Sequence, residues 1–456
     1  MKWKYASVAF MLLLIAALIA VPNQTVFALQ EYDTAEVEGR VIIIHSDDFI
    51  SQHSENAYYL ESGEGDFYRL VFRGDPLLIP DSIIRIRGKI SGQQISVDGE
   101  NLVVIRLPEP DPADNNLRVL VIMFNFINDQ RKPYLAEQIN YTLFEGTFSP
   151  NNFFQENSFG KVSLSGDVIG WYTIDNTNDV TCDYGLWSQA AEELAAKDNY
   201  DVNNYDRVIY FFPSSEVCNW AGRGQLGGDP PRKIWINGEN WEQLYAHEIG
   251  HTFSLHHSGS LDCGFRAIDD YANCIFSEQG DSYDVMGNRY HHLNAPHKIA
   301  AGWISPESVQ EIAKSGIYTI YFPLEAQAFG TQVLKIAKPD TNEHYFLEYR
   351  RPIGFDDLLS DAITEGTLIH VWDGISASKT KLIDATPKTK KYAYDEALSD
   401  GSLFYDRINR ISITQLRHDE DSVTIYVAFL PPPCYLCDKI GPIGLFIDPN
   451  ILQQVS

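Results

Sequence analysis

The segment Ala246-His247-Glu248-Ile249-Gly250-His251-Thr252-Phe253-Ser254-Leu255-His256-His257 brings metal-binding and proton-transfer residues together at usable spacing. On a helix, positions i and i+4 lie one above the other, so His247 and His251 can aim imidazole nitrogens at one zinc ion. Glu248 projects beside that ion. There it can take a proton from zinc-bound water and pass it to a leaving amine. A catalytic zinc usually has three protein ligands and one open position. A turn after Leu255 can return His257 to the metal as the third. His256, Asp262 and Asp270 are the alternatives.

These residues need a helix that starts and stops correctly. The expected helix spans Trp241 to Leu255, with Asn240 as N-cap and Gln243 at the third helical position. Upstream, Val119 to Phe126 reads as a buried strand, and Leu135, Ile139 and Leu143 as one face of a helix. Lys161 to Ile174 reads as a strand pair about a Gly-Asp turn, and Leu186 to Ala196 as a helix. Val208 to Phe212 and Lys233 to Ile236 are further strands. This order implies mixed α and β structure over residues 116–314. Residues 29–107 carry short β-rich runs: Val37 to Ile44, Asn56 to Leu60, Phe67 to Phe72, Ile83 to Ile90 and Leu102 to Leu107. They fit a small OB-like barrel. A proline-rich linker, 108–115, follows. Residues 315–432 again read as β, as an antiparallel sandwich, and 433–456 as a tail.

The N-terminus bears on compartment. Lys2 and Lys4 precede an apolar run from Ala6 to Val21, and Val26-Phe27-Ala28 offers a cleavage site. Residues 1–28 are therefore expected to be a secretory signal; an uncleaved N-terminal anchor is the alternative. The run is short for a membrane span, and no later segment is long and apolar enough, so no stable insertion is expected after cleavage. Six cysteines fit export. Cys182 with Cys218 and Cys263 with Cys274 are plausible pairs, and the lone C-x-x-C of Cys434 and Cys437 reads as a tail disulfide or free thiols. The 456-residue chain carries a formal charge of −27. Losing the signal removes two lysines and no acid, which makes it −29. Such a surface repels nucleic acid and anionic lipid. Its acidic loops could hold Ca²⁺.

H-E-x-x-H-x-x-x-x-x-H resembles the metzincin metallopeptidase pattern. Ser254 stands where that pattern has glycine, at a turn that favours φ > 0. Met286, within Asp284-Val285-Met286-Gly287-Asn288, matches the methionine turn that lies beneath the zinc in that class. Further stretches resemble the gametolysin-like branch: Glu156 to Lys161, Gly166 to Tyr172, Asn294 to Lys298, and Gly302-Trp303. The resemblance covers about residues 116–305. It implies an α+β metzincin-type zincin domain, with zinc bound by His247, His251 and His257 and catalysis by Glu248. It also implies endopeptidase action on extracellular proteins. Tyr290 or Tyr283 could steady the transition state. An extended substrate peptide would pair with an edge strand near Lys233 to Asn237.

Two questions remain open at the level of sequence. Residues 29–107 either cover the cleft until removed or bind carbohydrate, peptide or a cell surface. They contain no cysteine, so thiolate inhibition is excluded. The rival to an enzyme is a non-catalytic adhesive protein with a structural zinc, for which Glu248 has no use. Substrate specificity and oligomeric state are not encoded in any motif here.

Overall fold

A computed structural model describes residues 34–49, 53–74, 76–108, 115–321, 330–375, 379–389 and 394–430. The expected signal, most of the linker, and the tail with Cys434 and Cys437 lie outside these residues. Among the described residues no helix is long and apolar enough to cross a membrane.

The chain begins with five strands: β1 (Thr34–Asp48), β2 (His53–Ser62), β3 (Phe67–Phe72), β4 (Ile83–Ser91) and β5 (Gln94–Arg106). Their pairings run β1–β2–β3–β5–β4 and return to β1. Alternate apolar residues, among them Val41, Ile43, Leu60, Ile84, Ile86 and Ile95, meet in one core.

The next elements are β6 (Asn115–Phe126), α1 (Ala136–Asn140), α2 (Pro150–Asn157), β7 (Val162–Ile174), α3 (Tyr184–Lys197), β8 (Arg207–Phe212), β9 (Gly222–Leu226), β10 (Arg232–Asn237) and α4 (Glu242–His251). The sheet order is β1-β9-β10-β8-β6-β7. β6, β7, β8 and β10 are parallel, and β9 runs antiparallel to β10. Alternation along these strands divides two cores. Val119, Val121, Ile209, Phe211, Ile234 and Ile236 face α4. Leu120, Ile122, Val208, Tyr210, Phe212 and Trp235 face α3. Burial on both faces explains the nearly continuous apolar runs.

Three expectations need correction here. Residues 162–174 form one strand paired along its length with β6, not a strand pair. β10 is not an edge: β8 and β9 flank it. β9 lies outside it, and the other edge of β9 is taken by β1, which pairs from Ile43 to Asp47 with Leu226 to Gly222. Finally, α4 ends at His251, and its N-cap is Trp241, without a side-chain bond. Asn240 instead donates to Thr142 Oγ1 at 3.2 Å.

Beyond α4 come β11 (Ser258–Asp262), β12 (Ile275–Ser277), α5 (Ala295–Ala300), β13 (Val309–Ile312), β14 (Gly316–Tyr321), β15 (Val333–Lys338), β16 (Glu343–Tyr349), α6 (Asp361–Thr364), β17 (Thr367–Trp372), β18 (Thr380–Ile383), β19 (Leu403–Asp406), β20 (Ile411–His418) and β21 (Ser422–Phe429). They build two sheets, β12-β11-β18-β17-β16-β15-β13 and β14-β21-β20-β19. The smaller is antiparallel throughout. The larger is mixed, because β11–β18 and β13–β15 are parallel. Leu347 and Ile369 of the larger sheet share a core with Ile413 and Ile425 of the smaller. The larger sheet thus draws strands from both sides of residue 315. Both expected disulfides, Cys182–Cys218 and Cys263–Cys274, are formed.

Candidate metal centre

α4 is fastened to the sheet by its C-terminal end. Arg232 Nη1 donates to the Thr252 carbonyl at 2.6 Å, and Arg207 Nε to Thr252 Oγ1 at 2.6 Å. Two guanidinium groups thereby meet the negative end of the helix dipole. On its inner face, Gly250 makes room for Met286, since a Cβ there would overlap the methionine sulfur. Met286 is fully buried, and its carbonyl accepts the Ser258 N–H at 3.0 Å. Asp284 organises that turn by accepting from Met286 N at 2.6 Å and Asn294 N at 2.7 Å.

Ser254 has φ 62°, the left-handed conformation expected at this turn. The reversal carries the Leu255 carbonyl under His251, whose Nδ1 donates to it at 2.8 Å. His247 Nδ1 donates to the Val285 carbonyl at 2.8 Å. His257 Nδ1 lies 3.3 Å from Glu278 Oε1. Each ring has its Nδ1 held from outside, which leaves Nε2 to point inward. His257, not His256, is the ring whose Nε2 stands 3.2 Å from that of His247. Asp262 and Asp270 bond the backbone of Gly264 and Ala272 instead.

A carboxylate that motif reading passes over completes the cluster. Asp47, at the end of β1, is fully buried. Its Oδ2 lies 3.4 Å from His247 Nε2 and 3.2 Å from His251 Nε2. Its Oδ1 lies 2.9 Å from His257 Nε2. Gln279 Nε2 donates to the same Oδ1 at 2.7 Å. His45 stands beside it, with Nε2 3.4 Å from Oδ1 and Nδ1 on Asn56 Oδ1 at 2.6 Å. His45, Asp47, His251 and His257 form one compact group of potential metal ligands. His247 joins it through its contacts to Asp47 and His257.

The donors fit a tetrahedral ion. Zinc–ligand bonds of about 2.0–2.2 Å at tetrahedral angles put neighbouring donors roughly 3.3 Å apart. The 3.2 Å between His247 and His257 and the 2.9–3.4 Å from the Asp47 oxygens to the three rings scatter about that value. The electrostatics agree. Two imidazole lone pairs cannot face each other 3.2 Å apart without a positive charge between them. Burial opposes protonation of His257, yet Asp47 and Glu278 outweigh it and push it up to about 9. Burial likewise opposes ionisation of Asp47, but the surrounding rings, His257 first, hold its carboxyl well below the usual range. This group of buried donors can hold a metal ion.

Glu248 is the other anomaly. It is fully buried, and neither carboxylate oxygen has a hydrogen-bond partner. Burial, with Asp47 nearby, pushes its pKa well above the usual carboxylate range. It lies against β9, where a Cβ at Gly222 would overlap its Oε1. Tyr290 donates to the Phe148 carbonyl, and Tyr283 to Glu396, so both hydroxyls are engaged away from the cluster. His291 bonds the Phe355 carbonyl, His292 bonds Glu156 and His297 bonds Asp284. The positions that motif reading missed are His45, Asp47 and Gln279. The one signal available was a polar pair at the end of the apolar run Ile42-Ile43-Ile44.

A search of curated proteins found no match. One solved structure that resembles this chain, "Structure of a chaperone-substrate complex", is 14% identical with a TM-score of 0.25. It covers 52% of this chain, and this chain spans only 35% of it. Residues 118–346, half of the chain, match the family described as Gametolysin peptidase M11. The chain thus belongs to the gametolysin family of metallopeptidases.

Proposed function

We propose that this protein is a secreted zinc endopeptidase of the metzincin class, acting on extracellular proteins. The observation that carries the reading is the buried, unpartnered carboxylate of Glu248 beside three inward-facing imidazoles. A buried carboxylate without partners is costly and has no structural use here. A purely structural metal site would not keep it. His247, His251 and His257 would hold the zinc, over a floor formed by Met286. Bound zinc supplies a Lewis acid that polarises the scissile carbonyl and acidifies water. Glu248 takes the proton of the attacking water and returns it to the leaving amine. An extended substrate pairs with the outer edge of β9. The five-stranded N-terminal unit is an OB-like barrel, the C-terminal sheets form a sandwich, and the acidic loops are a candidate location for Ca²⁺. Two disulfides and the N-terminal apolar run support export.

The test compares wild type with Glu248→Gln for metal content and cleavage of an unfolded protein. Each is assayed as the full chain and after nicking by a serine protease that is then quenched. Both should bind one zinc, and the variant should turn over roughly 10²–10⁴-fold more slowly. A variant with full activity, or a wild type that binds zinc but never cleaves, would refute the mechanism.

A further inference from the structure

We infer that the N-terminal unit holds this enzyme latent, with Asp47 in the metal position that catalysis needs open. The inference rests on the zinc-peptidase reading and adds its regulation. Strand geometry carries the first step. Side chains alternate along β1, so Val41, Ile43, His45 and Asp47 share one face. Val41 and Ile43 fill the core of the N-terminal unit. Two residues on, the same face delivers His45 and Asp47 to the histidine cluster. Phe49 then lies against His247, ring centroids 4.9 Å apart, and against Trp241 at 6.0 Å. One strand therefore runs out of its own core and across the active site.

The backbone makes the second step. From Ile43 to Asp47, β1 pairs antiparallel with β9, and Ala221 N–H donates to the Asp47 carbonyl at 2.7 Å. That is the edge on which a substrate strand would lie. β1 thus takes both things a substrate needs, the pairing edge and the metal's open position. Asp47 cannot itself be cleaved as a substrate, because its side chain, not its carbonyl, faces the cluster. Two further groups flank the carboxylate: Gln279 donates to its Oδ1, and His45, anchored on Asn56, stands 3.4 Å from the same oxygen. Asn56 lies on β2, so the N-terminal unit braces its own latch. Activation requires withdrawal of β1, after which water replaces the carboxylate at the ion.

The experiment uses the full chain loaded with Co²⁺ or Zn²⁺, as wild type, Asp47→Ala and Asp47→Asn. Asn keeps the shape of Asp and guards against a variant that fails to fold. The visible Co²⁺ spectrum should be insensitive to pH in wild type. In both variants it should shift and titrate as water enters. Zinc loss to a chelator should be at least tenfold faster in the variants. Identical spectra and identical chelation rates across the three proteins would overturn the latch while leaving the peptidase reading intact. Failure of all three to bind one metal ion would overturn both.

Discussion

Ser254 shows how one residue can carry a cost that the site imposes. The chain must reverse after α4 so that the Leu255 carbonyl can hold His251 and His257 can reach the cluster. The reversal sets Ser254 at φ 62°, where a Cβ is disfavoured by about 1–2 kcal/mol. Glycine relieves that strain but loses more chain entropy on folding. Ser254→Gly is therefore expected to raise stability by roughly 1 kcal/mol, read as a higher denaturant midpoint with unchanged zinc content. A lower midpoint would show that the Ser254 side chain contributes more than its strain costs. Gly250 is constrained differently, by contact: the sulfur of Met286 occupies the space its side chain would need. The motif's helix and its methionine turn are thereby locked together by the absence of one methyl group.

Among the elements, β9 is the least conspicuous and the most constrained. Its sequence, Gly-Arg-Gly-Gln-Leu, lacks the β-branched and aromatic residues that mark a strand. Gly222 is needed because Glu248 lies against it, and Gly224 because His251 and Glu248 do. The same glycines that let the Glu248 carboxylate approach the sheet hide the strand from pattern reading. Gly222→Ala should displace the Glu248 carboxylate. A misplacement of about 1 Å costs on the order of 10²-fold in rate. The expected result is a loss of that size in turnover with zinc still bound. Unchanged turnover would mean that Glu248 has room to spare.

For the whole molecule, the sheets beyond α4 are part of the site's support. β11 begins at Ser258, one residue after His257, and pairs with β18. Asp281, in the turn leading to Met286, accepts from Ser258 Oγ at 2.6 Å and meets His370 Nε2 of β17 at 2.9 Å. Arg350, at the end of β16, donates to the carbonyls of Tyr283 and His292. The Asp281–His370 pair makes stability depend on pH. Burial opposes ionisation of Asp281, but His370 holds its pKa at about 2, below the ordinary 3.8. That contribution is complete above 3.8 and is lost as pH falls through about 2. Burial also opposes protonation of His370, but Glu348 and Asp281 raise it above 6.5. Its contribution is complete below 6.5 and is lost as pH rises through the raised value. Unfolding midpoints of wild type and His370→Gln should therefore differ most between about pH 4 and 6.5, and converge at either extreme. A constant difference across pH would remove the ion pair as its cause.

The sequence by itself determined the family and the candidate metal-binding motif. Helical periodicity places His247 above His251, and the one-residue offset of Glu248 follows from the same geometry. The turn to His257, the methionine at 286 and both disulfides were equally legible, because each depends on short-range spacing or on a pattern of residue types. Tertiary structure alone decided what meets that centre. Asp47 lies two hundred residues before the motif, and no local rule links them. Only the closing of β1 onto β9 brings its carboxylate to the histidines. β10 is an interior strand for the same reason: which edge is free depends on pairings between distant segments, not on the composition of any one strand.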